Sequence, residues 1–196
     1  MTAKRLLTAA AGGSVAVLLV IGLLQLRSDT PRVSPSRLTV AQIRERLAGA
    51  PEPLAALHAQ ANEVLPGGLA ALRARLAALR GTPVVINKWE SNCEPCRGEA
   101  PIFQRVSVSR GREVAFLGID SNQHSAGEAV EFLKSFPVGY PSYYDHSGQV
   151  GTAITDSTFT PVTVFYNRSG GEFIHQGPFA SVAKLEAAVR RYALTG

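Results

Sequence analysis

The chain has 196 residues, 45% of them hydrophobic, and a formal net charge of +5. That length suits one domain with an appendage, and that apolar content fills a core without disulfide staples. The basic residues are dispersed: Lys4, Arg5, Arg27, Arg32 and Arg37 flank an apolar run, and Arg73, Arg75 and Arg80 share one helical stretch. No basic run carries interleaved aromatics, which speaks against a nucleic-acid surface and for a solvated face or contact with anionic lipid.

Residues 6–26, LLTAAAGGSVAVLLVIGLLQL, contain no charge. As a helix they span about 31 Å, the hydrocarbon thickness of a bilayer. Lys4 and Arg5 before them predict a cytoplasmic N-terminus and export of the remainder. A cleaved signal peptide is the alternative, but the apolar run is long for one and no small-x-small site follows Leu24. The expectation is a signal anchor over residues 1–27, with the polar, proline-bearing residues 28–37 as an extended tether.

Three apolar stripes follow. Thr39, Val40, Ala41 and Gln42 read as a capping box, with Val40, Ile43 and Leu47 at helical spacing and Gly49 and Pro51 ending the run. Leu54, Leu57, Ala61 and Leu65 predict a second amphipathic helix, stopped by Pro66, Gly67 and Gly68. Leu69, Leu72, Leu76 and Leu79 predict a third. Such stripes face a core or bind a partner helix.

From Pro83 the pattern changes. PVVINKW (residues 83–89) is a β-branched apolar run and predicts a buried strand, as does VAFLGI (residues 114–119). The segment 125–128 reads as another capping box, followed by Ala129, Phe132, Leu133 and Phe136 on one helical face and a stop at Pro137. Tyr140 and Pro141 lead through Tyr143 and Tyr144 into a loop or short strand. Pro161 to Tyr166 is a strand, residues 168–171 the turn after it, and residues 172–176 its hairpin mate. Val182, Leu185, Val189 and Tyr192 close the chain on an amphipathic helix. Strand, helix, strand, helix, hairpin, helix predicts parallel strands with crossover helices and an antiparallel edge, a three-layer α/β domain.

The chemistry concentrates in WESNCEPCRGEAP (residues 89–101), which holds both cysteines of the chain. At i and i+3 opening a helix, Cys93 and Cys96 are close enough to bond. The first sulfur faces free backbone amides and the positive end of the helix dipole, which favour thiolate, the nucleophilic form. Pro95 fits an early helical position, where its missing N–H costs nothing. Cys96, a turn deeper, is shielded and attacks only a mixed disulfide already formed on Cys93. A staple over so short a loop constrains little. A zinc site needs four ligands, and His58, His124, His146 and His175 are scattered, each expected on the surface or satisfied. Arg97 in place of histidine excludes covalent haem attachment. Dithiol exchange, with no cofactor beyond the cysteine pair, is the reading that remains.

W-x-x-x-C-x-P-C-x-x-E-x-P after a strand containing V-x-N resembles the membrane-anchored TlpA/ResA branch of the thioredoxin superfamily, the DsbE type, over residues 69–192. The resemblance implies a thioredoxin-like α/β/α sandwich over residues 69–196, an accessory helical segment over 38–68, and the anchor and tether before it. It implies an extracytoplasmic thiol-disulfide oxidoreductase acting on client disulfides or dithiols, many relatives being reductants in cytochrome c maturation with apocytochrome c as client. A membrane electron carrier of the CcdA/DsbD type would recharge it. Carried over by motif, Cys93 is the nucleophile, Cys96 the resolving thiol and Glu99 the active-site acid. Trp89, Pro95, Asn87, Thr160 and Pro161 shape the site.

Glu99 lies three residues past Cys96 on one helix, so a partly buried carboxyl there can exchange the Cys96 proton near neutral pH. Asn87 holds the position where soluble thioredoxins carry a buried acid, and its neutrality leaves Glu99 as the relay. At Thr160-Pro161 the superfamily places a cis-proline facing the dithiol, which leaves the Thr160 backbone free for an incoming chain and its side chain near the Cys93 sulfur. One departure stands out: the residue before the first cysteine is usually aromatic in this family, and here it is Asn92, which makes the surroundings of Cys93 more polar. Two other functions remain in view, an oxidase that installs disulfides and a scaffold that binds a membrane partner through the leucine stripes. Asn167-Arg168-Ser169 matches a glycosylation sequon and is better explained as a tight turn.

Overall fold

A computed structural model describes residues 38–121 and 125–195. The expected anchor and tether, and His124, lie outside the described residues. Within them, no helix is long and apolar enough to cross a membrane.

The elements run α1 (Val40–Leu47), α2 (Leu54–His58), β1 (Val64–Leu65), α3 (Gly68–Ala78), β2 (Val84–Trp89), α4 (Glu94–Arg110), β3 (Ala115–Ser121), α5 (Ala126–Ser135), β4 (Ser142–Asp145), α6 (Gln149–Thr152), β5 (Val162–Tyr166), β6 (Glu172–Gln176) and α7 (Val182–Ala188), which continues into a π-helical turn, Val189–Ala193. One six-stranded sheet has the order β1-β4-β3-β2-β5-β6. The pairs β1–β4, β4–β3 and β3–β2 are parallel, while β2–β5 and β5–β6 are antiparallel.

The two-residue period of a strand sorts β2 between two cores. Val85 and Trp89 enter a cluster with Phe103 and Val106 of α4, Phe132 of α5, and Leu185 of α7. Val84 and Ile86 enter the opposite cluster with Leu54, Leu57, Leu72, Leu79, Leu117 and Val150. With helices against both faces, every residue of β2 and β3 is buried, as expected of central parallel strands. At the other edge, β6 alternates exposed and half-buried residues. This is the mixed α/β thioredoxin-like arrangement.

The expected box at Thr39 forms: the hydroxyl accepts from Gln42 N at 3.3 Å and the Gln42 amide oxygen accepts from Thr39 N at 2.9 Å. The second stripe departs from expectation. Its helix ends at His58, and Leu65 belongs to a short strand pairing with Tyr143. Asn62 makes the break: it takes a left-handed conformation, φ 67°, and its side chain donates to Leu133 O at 3.2 Å and accepts from Val138 N at 2.9 Å. Asparagine tolerates that region better than most side chains. The box expected at 125–128 does not close. Ser125 caps α5 by its extended backbone alone, and the Glu128 amide bonds the Ser125 carbonyl at 3.3 Å instead of the hydroxyl. Helix α6, unforeseen, starts from Gly148 at φ 74°.

His58 also departs from expectation, being buried with Nδ1 unpartnered. Burial lowers its pKa, against a hydrogen bond from the imidazole to the Gly111 backbone, which raises it. Asn167 folds the hairpin turn, its Oδ1 accepting from Ser169 N at 3.1 Å and Gly171 N at 2.7 Å.

The leucine stripes are core surface: Leu47, Leu54, Leu57, Leu72 and Leu79 are all buried. Truncating Leu57→Ala is therefore expected to cost about 2–5 kcal/mol and to lower the urea midpoint of one cooperative transition. A loss below about 0.5 kcal/mol would mean that α2 is a detachable cap.

Candidate active site

Helix α4 follows β2 after the short turn of residues 90–93, and this junction places the cysteines. Cys93 is its N-cap, Pro95 lies in its first turn, and Cys96 N donates to the Cys93 sulfur at 3.2 Å. The first amides of a helix have no internal partner, and here a sulfur occupies the place usually taken by a hydroxyl or carboxylate. Cys93 and Cys96 are joined in a disulfide, Cα atoms 5.2 Å apart. Cys93 is half-buried, whereas Cys96 is 1% exposed. Asn92, beside the outer sulfur, is exposed.

One turn further on, Glu99 is 1% exposed. Its carboxyl is held from two sides: Asn87 Nδ2 donates to Oε1 at 2.7 Å and the Phe179 amide donates to Oε2 at 3.1 Å. Burial pushes the carboxyl up to about 7, against those two hydrogen bonds, which favour the charged form. Desolvation prevails because neither donor carries a full charge. Tyr140 is buried in the same core, and burial followed by the nearby Glu99 charge holds its phenol well above the usual range.

Trp89 closes the site on the α5 side. Its ring stacks on Phe132 at 4.4 Å, and Nε1 donates to Ser142 Oγ at 3.2 Å. The Arg97 guanidinium lies 5.2 Å from the Phe136 ring and donates to Ser91 O at 3.1 Å, fastening α4 to the turn before it. A surface cavity of about 710 Å³ borders this region, lined by Asn92, Arg97, Glu128 and Phe132 among others.

On the other side, the Thr160–Pro161 bond is cis. The Thr160 hydroxyl was expected near the Cys93 sulfur; it donates instead to Glu90 Oε1 at 3.2 Å. The cause is composition, since a carboxylate three residues before Cys93 is a stronger acceptor than sulfur. Sequence reasoning passed over Glu90, and also Lys88, which it took for part of an apolar strand. Lys88 is 3% exposed and its ammonium donates to Ser157 O at 2.8 Å. Burial lowers its pKa, and the charges of Glu90 and Asp145 raise it. Phe179, the second support of Glu99, acts through its backbone, which leaves no residue-type signal. Among the described residues there is no cluster of three or more histidine, cysteine or acidic side chains able to hold a metal.

A thioredoxin-like sheet with a C-x-x-C disulfide at the first turn of its dithiol helix defines a thiol-disulfide oxidoreductase, and known proteins agree. No protein-family model matches the chain. The soluble secreted antigen MPT53 of Mycobacterium tuberculosis is 28% identical over 119 residues, 61% of this chain and 67% of that protein. The thiol-disulfide oxidoreductase ResA of Bacillus subtilis is 30% identical over 101 residues, 50% of this chain and 54% of its own. The structure of M. tuberculosis DsbF superposes with a TM-score of 0.54 at 28% identity, covering 58% of this chain and 82% of that one. In sequence and in fold the chain is similar to the TlpA/ResA/DsbE-like oxidoreductases of the thioredoxin superfamily.

The folded-state pKa of Glu99 lies above its ordinary value of 4.5, so the folded chain binds the extra proton between about 4.5 and about 7. Stability from this group is fully present below pH 4.5 and is lost as pH rises through 7. Relative to Glu99→Gln, the oxidised chain is expected to lose on the order of 3 kcal/mol across that window, measured as urea-unfolding free energy against pH. A flat difference would show that Glu99 does not titrate there.

Proposed function

We propose that this chain reduces disulfides of exported proteins, held on the extracytoplasmic face of a bacterial membrane by residues 6–26. The observation that carries the exchange chemistry is the asymmetry of the pair: Cys93 half-exposed and capping α4, Cys96 buried behind it. The motif's family resemblance supports the reductant direction, and the uncharged apolar run supports the anchor.

In the reduced chain, the amide of Cys96 and the dipole of α4 stabilise negative charge on Cys93. The Cys93 thiolate attacks one sulfur of a client disulfide; a Cys93–client bond forms and the client's other sulfur leaves as thiolate. Glu99, as carboxylate, takes the proton of Cys96. The Cys96 thiolate then attacks the Cys93 sulfur, closing the Cys93–Cys96 bond and releasing the second client sulfur. The client gains two electrons and the chain loses two. Asn87 and Phe179 hold the carboxyl, Trp89 and Pro95 fix the turn, and the cis Thr160–Pro161 segment offers backbone to the client. Apocytochrome c is the client class, and a CcdA/DsbD-type carrier the electron source, that the family resemblance brings.

The exposed Asn92 favours one rival, an oxidase running the same exchange backward, because it leaves the outer sulfur in polar surroundings. Equilibration of the purified chain with glutathione or dithiothreitol separates the two. The expected reduction potential lies well below the roughly −120 mV of a strong oxidant; a value near that would reverse the direction. Role assignment is tested with full-length Cys96→Ser in cells. Mixed disulfides with clients are expected to accumulate on Cys93 and to stay with membranes after alkaline extraction. Soluble adducts would point to a cleaved leader, and absence of adducts would overturn Cys93 as the attacking sulfur.

A further inference from the structure

On the face of β2 away from Glu99, a partly buried network reaches the loop of residues 153–161. Lys88 leaves the strand beneath α6 and ends on Ser157 O at 2.8 Å. Its stem lies so close to the Gly151 backbone that a Cβ there would come within 2.9 Å of the Lys88 Cε. Asp145, one of the two acidic groups acting on Lys88, accepts from Gly151 N at 2.7 Å, fixing the helix turn under which the lysine passes.

Two residues along, Glu90 accepts from the Thr160 hydroxyl at 3.2 Å. The Glu90 carbonyl also accepts from Cys93 N at 3.4 Å, so this residue links the loop to the turn that carries the dithiol. Inside the loop, Ser157 N bonds Thr155 Oγ1 at 3.1 Å and Phe159 N bonds Ser157 Oγ at 3.3 Å. The loop is pinned on both sides of Phe159, at Ser157 and Thr160, while Phe159 itself stands 74% exposed. Burying an ammonium beside two acidic groups is a poor stabilising device, since an apolar side chain of that volume would serve as well. Fixing a loop before it binds is where such a network gains, because the ordering entropy is not lost on association.

We propose that Lys88 and Glu90 are positioning residues that hold the 153–161 loop ready beside the dithiol, making it the element that selects extended apolar segments of protein clients. The proposal rests on the client exchange described above, and its test separates the two. Full-length Lys88→Met and Glu90→Leu are assayed with insulin, a protein disulfide, and with oxidised glutathione, a small one that needs no loop. The expected result is a rise of about tenfold in KM for insulin, with kcat, glutathione turnover and reduction potential unchanged. An unchanged insulin KM in both variants overturns the proposal. So does a matching loss on both substrates together with a shifted potential, the mark of a general structural role. If the unaltered chain exchanges with glutathione and not with insulin, the client reading itself fails and the proposal with it. Lys88→Met keeps volume in a packed site, and Glu90→Leu keeps comparable bulk while removing the acceptor for Thr160, so either variant alone suffices if the other does not fold.

Discussion

At the first turn of α4 the backbone offers amides with no helical partner, and the Cys93 sulfur takes the one from Cys96 at 3.2 Å. A capping sulfur is ordered by the helix it caps, so the group that must react is also the group that starts the element. Pro95 follows from the same constraint, because an early helical position is where a missing N–H is free. The burial of Cys96 follows too: one turn further into a helix packed on the sheet, the second sulfur has nowhere to point but inward. Order of reaction is thereby set by depth. In the proposed exchange a client meets the outer sulfur, and the inner sulfur resolves the bond that forms there.

Depth also creates a difficulty, since a buried thiol has no water to take its proton. In the proposed mechanism Glu99 answers it from the same helix, one turn beyond Cys96. A carboxyl in a core is normally neutral, and one fully paired with cations is normally ionised. Here two neutral donors, Asn87 and the Phe179 amide, offset part of the desolvation and leave the group poised near 7. A charged partner in place of Asn87 would disturb that balance in either direction. The neutral residue at this strand position is therefore part of the acid–base design.

Much of this was legible in the residues because it is local. A cysteine at a helix start, a proline beside it and a glutamate one turn on are all fixed by spacing, as are the β-branched strands. What was hidden depends on distant chain. The Phe179 amide lies 80 residues from Glu99, and a backbone donor has no residue type to read. The two-residue β1 is created by its register with β4 and not by its own sequence. Lys88 was obscured by its neighbours: in VINKW the apolar pattern signals a buried strand correctly, yet the one charged residue is buried along with it. The Ser125 hydroxyl shows the converse, a correct cap position whose expected bond is displaced by a backbone carbonyl.

The alternation of β2 divides the labour of the site. Asn87 points to the layer of α4 and bonds Glu99, the proposed proton acceptor, and Lys88 points to the layer of α6 and bonds the Ser157 carbonyl of the loop. Because adjacent residues of a strand face opposite ways, one strand can tune the chemistry and the recognition almost independently. Trp89 and Glu90 then continue the same separation into the turn, the indole against Phe132 and the carboxylate against Thr160. The polar Asn92 sits where these two sides meet at the outer sulfur. A change of partner surface there alters what the dithiol meets without touching the buried groups that set its reactivity, which is how one exchange mechanism can serve different clients on one fold.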